Sequence, residues 1–189
     1  MLSLCLSSVR DTTRKLFLEP CFDRFHLMEA SISGAVTYSI DGRCNLGFFA
    51  SDASNTSDLT ESEPVPELHR EQTAAVEDSS SKQAPFIFWE QIRPVCFSMI
   101  KGKRAPLAFR FVFFLPKAEA ASQFQEASLA ANADIDGYLF VLHYKNQELM
   151  ATTGTSFLRF SFDKDSERLW DRCINDWLKQ ASIETSTLI

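Results

Sequence analysis

The chain has 189 residues, of which 25 are acidic and 19 are basic, so its formal net charge is −6. Residues 50–85 contain eight of the acidic and two of the basic residues, and the remainder therefore has 17 of each sign. Low hydrophobicity with high net charge predicts that this stretch is a long disordered acidic loop. The neutral remainder argues against a protein whose whole surface attracts nucleic acid.

Cysteine spacing and apolar run length exclude two further classes of protein. The five cysteines are odd in number and contain no Cys-x-x-Cys, which argues against a disulfide framework or a zinc ribbon. No apolar run approaches the roughly 18 residues of a membrane span, and the run at residues 1–6 is too short for a signal peptide. We therefore expect a cytoplasmic protein with reduced thiols and no membrane attachment.

The residues before the acidic stretch predict strands around one helix. Alternating leucines predict a strand over residues 2–6. Ser8 predicts the start of a helix, because its side chain can cap the backbone three residues later, and Pro20 predicts its end. Alternation over residues 25–40, interrupted near Gly34, predicts two further strands.

The character of the chain changes after the acidic stretch. Apolar residues spaced by three and four over residues 88–100 predict a helix, with its regular part beginning near Pro94 and Gly102 just after its end. Residues 107–115 alternate with apolar side chains on both faces, which predicts a strand in the middle of a sheet. The alanine-rich residues 116–133 predict another helix.

The last third predicts a hairpin, a strand and a final helix. The hairpin covers residues 138–152, and a turn at residues 153–155 separates it from a strand at residues 157–162. Asp163 is placed to cap the final helix, and residues 184–189 are expected to be a frayed tail.

The order of these elements predicts the fold class. Strands joined by short turns dominate both halves, so we expect an α+β fold with a mostly antiparallel sheet covered by about four helices. Residues 1–183 are expected to form a single domain, which the disordered insertion at residues 50–85 interrupts.

Deleting residues 52–83 is expected to leave the fold intact. The segment offers few apolar contacts, and shortening a flexible loop changes the closure entropy by only about 1–2 kcal/mol. Thermal melting of the truncated protein beside the full chain checks this expectation. Loss of cooperative unfolding would show instead that the stretch packs against the domain.

Three cations on one turn are the strongest candidate for a binding site. Lys101, Lys103 and Arg104 follow the predicted helix end. They suit an anion such as a phosphate, because lysine supplies a point charge and arginine a bidentate fork. The alternative is structural, since cations near the C-terminus of a helix also complement its dipole.

A second candidate is the hydroxyl-rich turn around Gly154. Thr153 and Thr155 flank this glycine, and turns of this kind can hold an anion with backbone N–H groups. The turn lacks the Gly-x-x-x-x-Gly-Lys spacing of a phosphate loop, so an ordinary hairpin turn is the alternative.

No catalytic motif is present in the sequence. Gly-x-Ser-x-Gly, His-Glu-x-x-His and Gly-x-Gly-x-x-Gly are all absent. His26 and His143 fall on predicted strands without metal-ligand spacing, and the sequence does not tell whether they are neighbours. We therefore assign no catalytic residue, no metal ligand and no cofactor.

Two blocks of the chain carry a resemblance to a known family. They are residues 89–107 (WEQIRPVCFSMIKGKRAPL) and residues 152–164, with shorter matches at residues 22–25 and 40–42. These blocks resemble an uncharacterised family of bacterial domains of unknown function that is common in anaerobic gut bacteria. The resemblance spans nearly the whole chain except the acidic stretch. It implies a cytosolic bacterial protein and supplies no activity.

A weaker resemblance concerns only the order of the elements. A strand, a helix over the sheet, further strands, a loop and a second helix resemble one domain of a DNA sliding clamp. Clamps carry two or three such domains and a positively charged helical face, whereas this chain has one copy and a neutral body. The additional helices predicted near residues 117–131 and 165–180 also depart from that pattern.

The leading hypothesis is a non-catalytic cytosolic binding or adaptor domain whose partner is an unknown protein or a small anionic ligand. A second hypothesis, not favoured by the overall charge, is nucleic-acid binding through the basic turn together with Arg93 and Arg110.

A third hypothesis is an enzyme or sensor for a small phosphorylated ligand. It requires Arg104 and Thr155 to be neighbours, because the two turns would grip the ligand between them. The oligomeric state is not determined by the sequence.

Overall fold

The fold is given by a computed structural model. Residues 1–43 and 86–189 make up one compact unit, whose described residues form the fold below. The predicted acidic loop, the residue Lys103 and the predicted cap Asp163 lie outside the described residues. The structure describes residues 1–45, 86–102, 104–159 and 164–187.

Eight antiparallel strands form one sheet in the described part of the chain. They are β1 (Ser3–Leu6), β2 (His26–Ser33), β3 (Thr37–Asp41), β4 (Ile87–Phe88), β5 (Ala108–Pro116), β6 (Ile135–Lys145), β7 (Glu148–Phe157) and β8 (Thr185–Thr187). Their order across the sheet is β3-β2-β5-β6-β7-β1-β8, and β4 pairs with the part of β2 that β3 leaves free.

Among the residues that the structure describes, four α-helices accompany the sheet, which confirms the predicted α+β class. Three of them anchor on one sheet face through aromatic side chains. Phe17 and Trp89 lie 5.8 and 5.3 Å from the ring of Phe111, and Trp177 lies 5.7 Å from Phe140. No helix among the described residues is long and apolar enough to cross a bilayer. The helices are α1 (Val9–Leu18), α2 (Trp89–Ile100), α3 (Lys117–Gln123) and α4 (Asp165–Gln180).

Strand β5 lies at the centre of the sheet, between β2 and β6, as its apolar alternation predicts. Phe111 and Phe113 point to the helix-covered face, and Val112 and Phe114 point to the opposite face. All four side chains are at most 5% exposed. Burial of both faces therefore explains why this strand has no polar alternation.

The predicted start of α1 is confirmed in detail. The Ser8 Oγ accepts the Asp11 N–H at 3.3 Å and donates its own proton to the Asp11 carboxylate at 2.7 Å. The helix ends at Leu18, and Glu19 is extended before Pro20. The cap therefore fixes the residue at which α1 begins.

The regular part of helix α2 begins five residues earlier than predicted. It starts at Trp89, so Pro94 lies inside the helix and leaves one carbonyl without its usual donor. The fully buried Trp89 anchors the first turn and outweighs this local preference. Gly102 is not in the left-handed conformation expected after a helix end, since no described glycine has a positive φ.

The helix predicted over residues 116–133 is divided in two. Helix α3 ends at Gln123, and Gln125 adopts a positive φ of 53°. A 3₁₀ segment, Ala127–Ala130, follows, and its Leu129 is fully buried with its carbonyl accepting from the Tyr138 hydroxyl at 2.8 Å. Packing of Leu129 therefore ends the regular helix earlier than alanine content suggests.

The last strands also differ from the prediction. Strand β7 runs to Phe157 without the expected turn around Gly154, because that glycine continues the strand and pairs with Leu139 of β6. The expected frayed tail contains strand β8, which pairs with β1 from Leu4 to Leu6. Backbone pairing at a sheet edge orders these residues despite their polar side chains.

Candidate functional site

A groove of about 890 Å³ lies between α1 and the C-terminal end of α2. Lys101, Gly102 and residues 104–106, together named here the basic loop, form its third wall. Phe109 at the start of β5 and Tyr144 near the end of β6 complete the floor. The groove is therefore built from segments that lie far apart in the sequence.

The charges lining this groove are mostly positive. Arg10, Arg14, Lys101 and Arg104 all line it and are exposed, whereas Asp11 is the acidic residue of the lining. Arg14 pairs with Glu19 at 3.0 Å across exposed side chains, a contact worth little in water. Arg10, Lys101 and Arg104 have no carboxylate partner among the described residues, so their charges are available to an anion.

The floor of the groove is apolar. Phe17 and Phe109 are buried beneath it, while Phe97, Ile100 and Tyr144 are partly exposed. The exposed Leu18 extends the apolar surface along α1. A ligand in this groove can therefore bury apolar area as well as neutralise cations.

Sequence reasoning found only part of this site. It singled out Lys101 and Arg104, which do lie together at the groove, whereas Lys103 lies outside the described residues. It missed Arg10 and Arg14. Their spacing of four residues on a predicted helix places both on one face, and this was the available signal. Nothing local indicates that this face lies opposite the basic loop.

The side chain of Thr153, a predicted site residue, is buried and makes hydrogen bonds within the fold. Its side chain is 3% exposed. Its Oγ1 accepts the Leu2 N–H at 2.8 Å and donates to the carboxylate of Asp171. The hydroxyl ties β1, β7 and α4 together, and its one proton is already used.

Thr155 and the basic loop lie at opposite ends of the sheet. Thr155 pairs with Tyr138, which pairs with Leu115 at the far end of β5, whereas Arg104 precedes Ala108 at the near end. Seven strand residues separate these ends by about 20 Å. The third hypothesis requires both turns to contact one ligand, and the structure does not place them close enough together for that arrangement.

Of the other cations in the nucleic-acid hypothesis, Arg93 is largely buried and Arg110 faces away from the groove. Arg93 donates to the Glu19 carbonyl at 2.7 Å and to the Asp23 carboxylate at 2.8 Å. Arg110 pairs with Glu29 at 3.4 Å on the sheet face opposite the groove. Neither lines the groove.

The two strand histidines are separate. His26 is fully buried and opposite Phe114, and its nitrogens contact the Phe86 carbonyl at 3.1 Å and Glu119 at 2.9 Å. His143 is exposed and lies opposite Arg110 in the strand register. Arg110 is four residues along β5 from Phe114, the residue opposite His26. They are therefore not neighbours, and both nitrogens of His26 are occupied.

Burial makes three of the cysteines poor nucleophiles. It raises the pKa of Cys96 to about 12 and also raises the pKa values of Cys21 and Cys173. These thiols stay protonated at neutral pH, where only a thiolate attacks or binds metal. The described residues also contain no group of three or more His, Cys, Asp or Glu side chains placed to hold a metal ion.

Comparison with protein families gives one match. The model of a family of unknown function (DUF5721) matches residues 15–69 and 65–186. This confirms the predicted relation to a family of domains of unknown function, while the bacterial origin stays a prediction. No curated protein and no solved structure matches the chain, so the sliding-clamp resemblance stays an analogy.

Proposed function

The chain belongs to DUF5721, a family of unknown function, and we propose that its domain is a non-catalytic binding domain that holds an acidic protein segment in the basic groove. The observation that carries the proposal is the combination of four cations with a partly exposed apolar floor. An acidic segment with apolar side chains satisfies both features, because its carboxylates can pair with the cations at the rim of the groove and its apolar side chains can pack on the floor.

Charge complementarity selects an acidic partner. Arg10, Lys101 and Arg104 have no ion pair among the described residues, and they border one groove. Exposed cations of this kind speed encounter with an anionic partner and disfavour a cationic one, although each adds little affinity alone. The groove therefore obtains its selectivity from charge and its affinity from apolar burial.

Ring packing favours a peptide over a single-stranded nucleic acid. Sequence-tolerant nucleic-acid sites offer free aromatic faces on which bases stack. Here Phe109 stacks on Tyr144 at 5.0 Å, and Phe17 packs on Phe97 at 5.8 Å. These rings already contact one another, so the groove offers apolar edges and aliphatic groups that suit leucine-like side chains better than bases.

Selection from a random peptide library displayed on phage tests the proposal without assuming a partner. The full chain is immobilised, and we expect enrichment of peptides that combine Asp or Glu with Leu, Ile or Phe. The variant that combines Lys101→Glu with Arg104→Glu is expected to bind an enriched peptide at least about ten-fold more weakly, because like charges then face each other. Fluorescence anisotropy with the labelled peptide measures this change.

A matched control is Arg168→Glu, since Arg168 is 74% exposed on α4 and does not line the groove. Its affinity should equal that of the natural chain. Enriched peptides without acidic residues, or equal binding by the groove variant, would overturn the proposal. A labelled single-stranded oligonucleotide is tested in parallel, and binding that falls steeply with salt would assign the groove to nucleic acid instead.

A further inference from the structure

A second cavity, of about 370 Å³, lies between α4 and the turn that follows α3. We name it the Arg24 pocket, because the side chain of Arg24 lines it beside Phe124 and Trp177. Its volume is at the lower end of the range for small-molecule sites. It shares no lining residue with the basic groove, so the two sites are independent.

Arg24 is held in place by two aromatic rings. Its guanidinium carbon lies 5.2 Å from the ring centre of Phe124 and 5.6 Å from that of Trp177. Cation–π contacts of this kind fix the orientation of the guanidinium plane and leave its N–H groups free. The side chain is thus positioned before any ligand arrives.

The charge of Arg24 is not matched within the fold. No described residue forms an ion pair or accepts a side-chain hydrogen bond from it, in contrast to Arg93, whose carboxylate partner is 2.8 Å away. Burial lowers the pKa of Arg24. A partly desolvated cation with unused donors gains more from a bound oxyanion than an exposed one does.

The remaining charges of the pocket indicate which oxyanion fits. Arg172 adds a second cation, and Glu126 and Asp176 add two carboxylates to the lining. Two carboxylates repel a phosphate dianion, but they accept hydrogen bonds from an ammonium group. Cys173 also lines the pocket, and burial raises its pKa, so it remains a neutral thiol.

We propose that the Arg24 pocket binds a small zwitterion of the amino-acid class, with its carboxylate on Arg24 and its ammonium group toward Glu126 and Asp176. The guanidinium of Arg24 is held in place and can donate two parallel hydrogen bonds, one to each oxygen of the carboxylate. Both signs of charge that the ligand requires therefore line the pocket, although Asp176 also pairs with the exposed Lys179 at 3.5 Å. This site serves recognition of a small molecule and does not depend on the occupant of the groove.

A thermal-shift screen of the full chain against each of the twenty standard amino acids tests the proposal. Acetate and inorganic phosphate are the comparison probes. We expect at least one amino acid to raise the melting temperature in a saturable way, and to bind more tightly than either comparison probe. Calorimetry then measures its dissociation constant.

Two variants locate the binding. Arg24→Gln is expected to weaken it about ten- to a hundred-fold, since a hydrogen bond to a charged group contributes about 1.5–3 kcal/mol. Asp176→Asn, at a side chain that is 55% exposed, is expected to weaken it without affecting folding. Arg104→Glu does not alter the lining of the Arg24 pocket and should leave amino-acid binding unchanged.

Three results would overturn the assignment: no amino acid binds the full chain, Arg24→Gln binds as tightly as the natural chain, or phosphate binds more tightly than every amino acid. If Arg24→Gln does not fold, Arg24→Lys decides together with Asp176→Asn. Lysine keeps the charge but removes the fork, so unchanged affinity in both variants would equally contradict the proposal.

Discussion

Replacing Trp89 with alanine is expected to lower the free energy of unfolding by about 3–5 kcal/mol, the usual cost of removing a buried aromatic side chain. Trp89 is fully buried and meets Phe111 and Phe113 edge-on at 5.3 and 5.2 Å. Its indole N–H also donates to the Leu16 carbonyl at 3.0 Å. The substitution therefore leaves a cavity and an unpaired carbonyl at the point where α1, α2 and the sheet meet.

Urea unfolding followed by circular dichroism measures this loss. Equal dependence of the free energy of unfolding on urea concentration in the two proteins would show that their unfolded states are comparable. Trp89→Phe is the matched control, because it keeps a ring against Phe111 and removes the donor to Leu16. The free energy of unfolding of Trp89→Phe should lie between those of the natural chain and of Trp89→Ala. A loss under about 1 kcal/mol for alanine would show that Trp89 does not anchor α2.

Replacing Arg93 with methionine is expected to destabilise the fold by about 3–5 kcal/mol at neutral pH, because the carboxylate of Asp23 is then left without its partner. The side chains of Arg93 and Asp23 are 19% and 17% exposed and lie 2.8 Å apart. The Glu19 carbonyl, which accepts from Arg93 at 2.7 Å, also loses its donor. Arg110→Met is the matched control, since that pair is exposed.

The pH dependence of this variant distinguishes lost charge pairing from lost packing. Burial raises the pKa of Asp23 and outweighs the lowering by Arg93. Between the unfolded pKa near 3.8 and the higher folded pKa, the folded state therefore binds more protons than the unfolded state. Asp23 consequently makes the free energy of unfolding fall as the pH rises through this window.

Without Arg93 the folded pKa of Asp23 rises further, and the window extends to higher pH. The deficit of Arg93→Met should therefore shrink when the pH is lowered through this window. Urea unfolding at several pH values measures the deficit, and NMR titration of Asp23 follows its pKa. A deficit that does not change with pH would mean that packing alone is lost.

Local pattern predicted much of the fold. The apolar alternation around Phe111 predicted the central strand, and Ser8 predicted the start of α1. Both signals are short-range, because alternation reports burial of two faces and a cap uses residues three apart. The same reasoning failed at Gly154, where a glycine next to hydroxyl side chains looked like a turn. There the backbone of Gly154 continues the strand and pairs with Leu139 of β6, which local sequence does not report.

Strand β2 shows how pairing changes which side of a sheet a residue faces. Strict alternation puts Leu27 and Glu29 on one side. The register against β5 shifts between these residues, so Leu27, Ala30 and Ile32 share the buried helix side instead. A bulge adds one residue to one strand only, and its position depends on the partner strand. His26 thereby lies on the opposite side, beside Glu119.

By itself the sequence determined the α+β class, the central strand, the Ser8 cap of α1 and the presence of cations after α2. These features depend on residues within a few positions of each other. Only the tertiary structure decided that Arg10 lies across a groove from Arg104, that Thr155 and the basic loop lie at opposite ends of the sheet, and that Arg24 has no carboxylate partner among the described residues. The physical reason is that each of these facts depends on the packing of distant segments, and strand pairing rather than local pattern sets which segments meet.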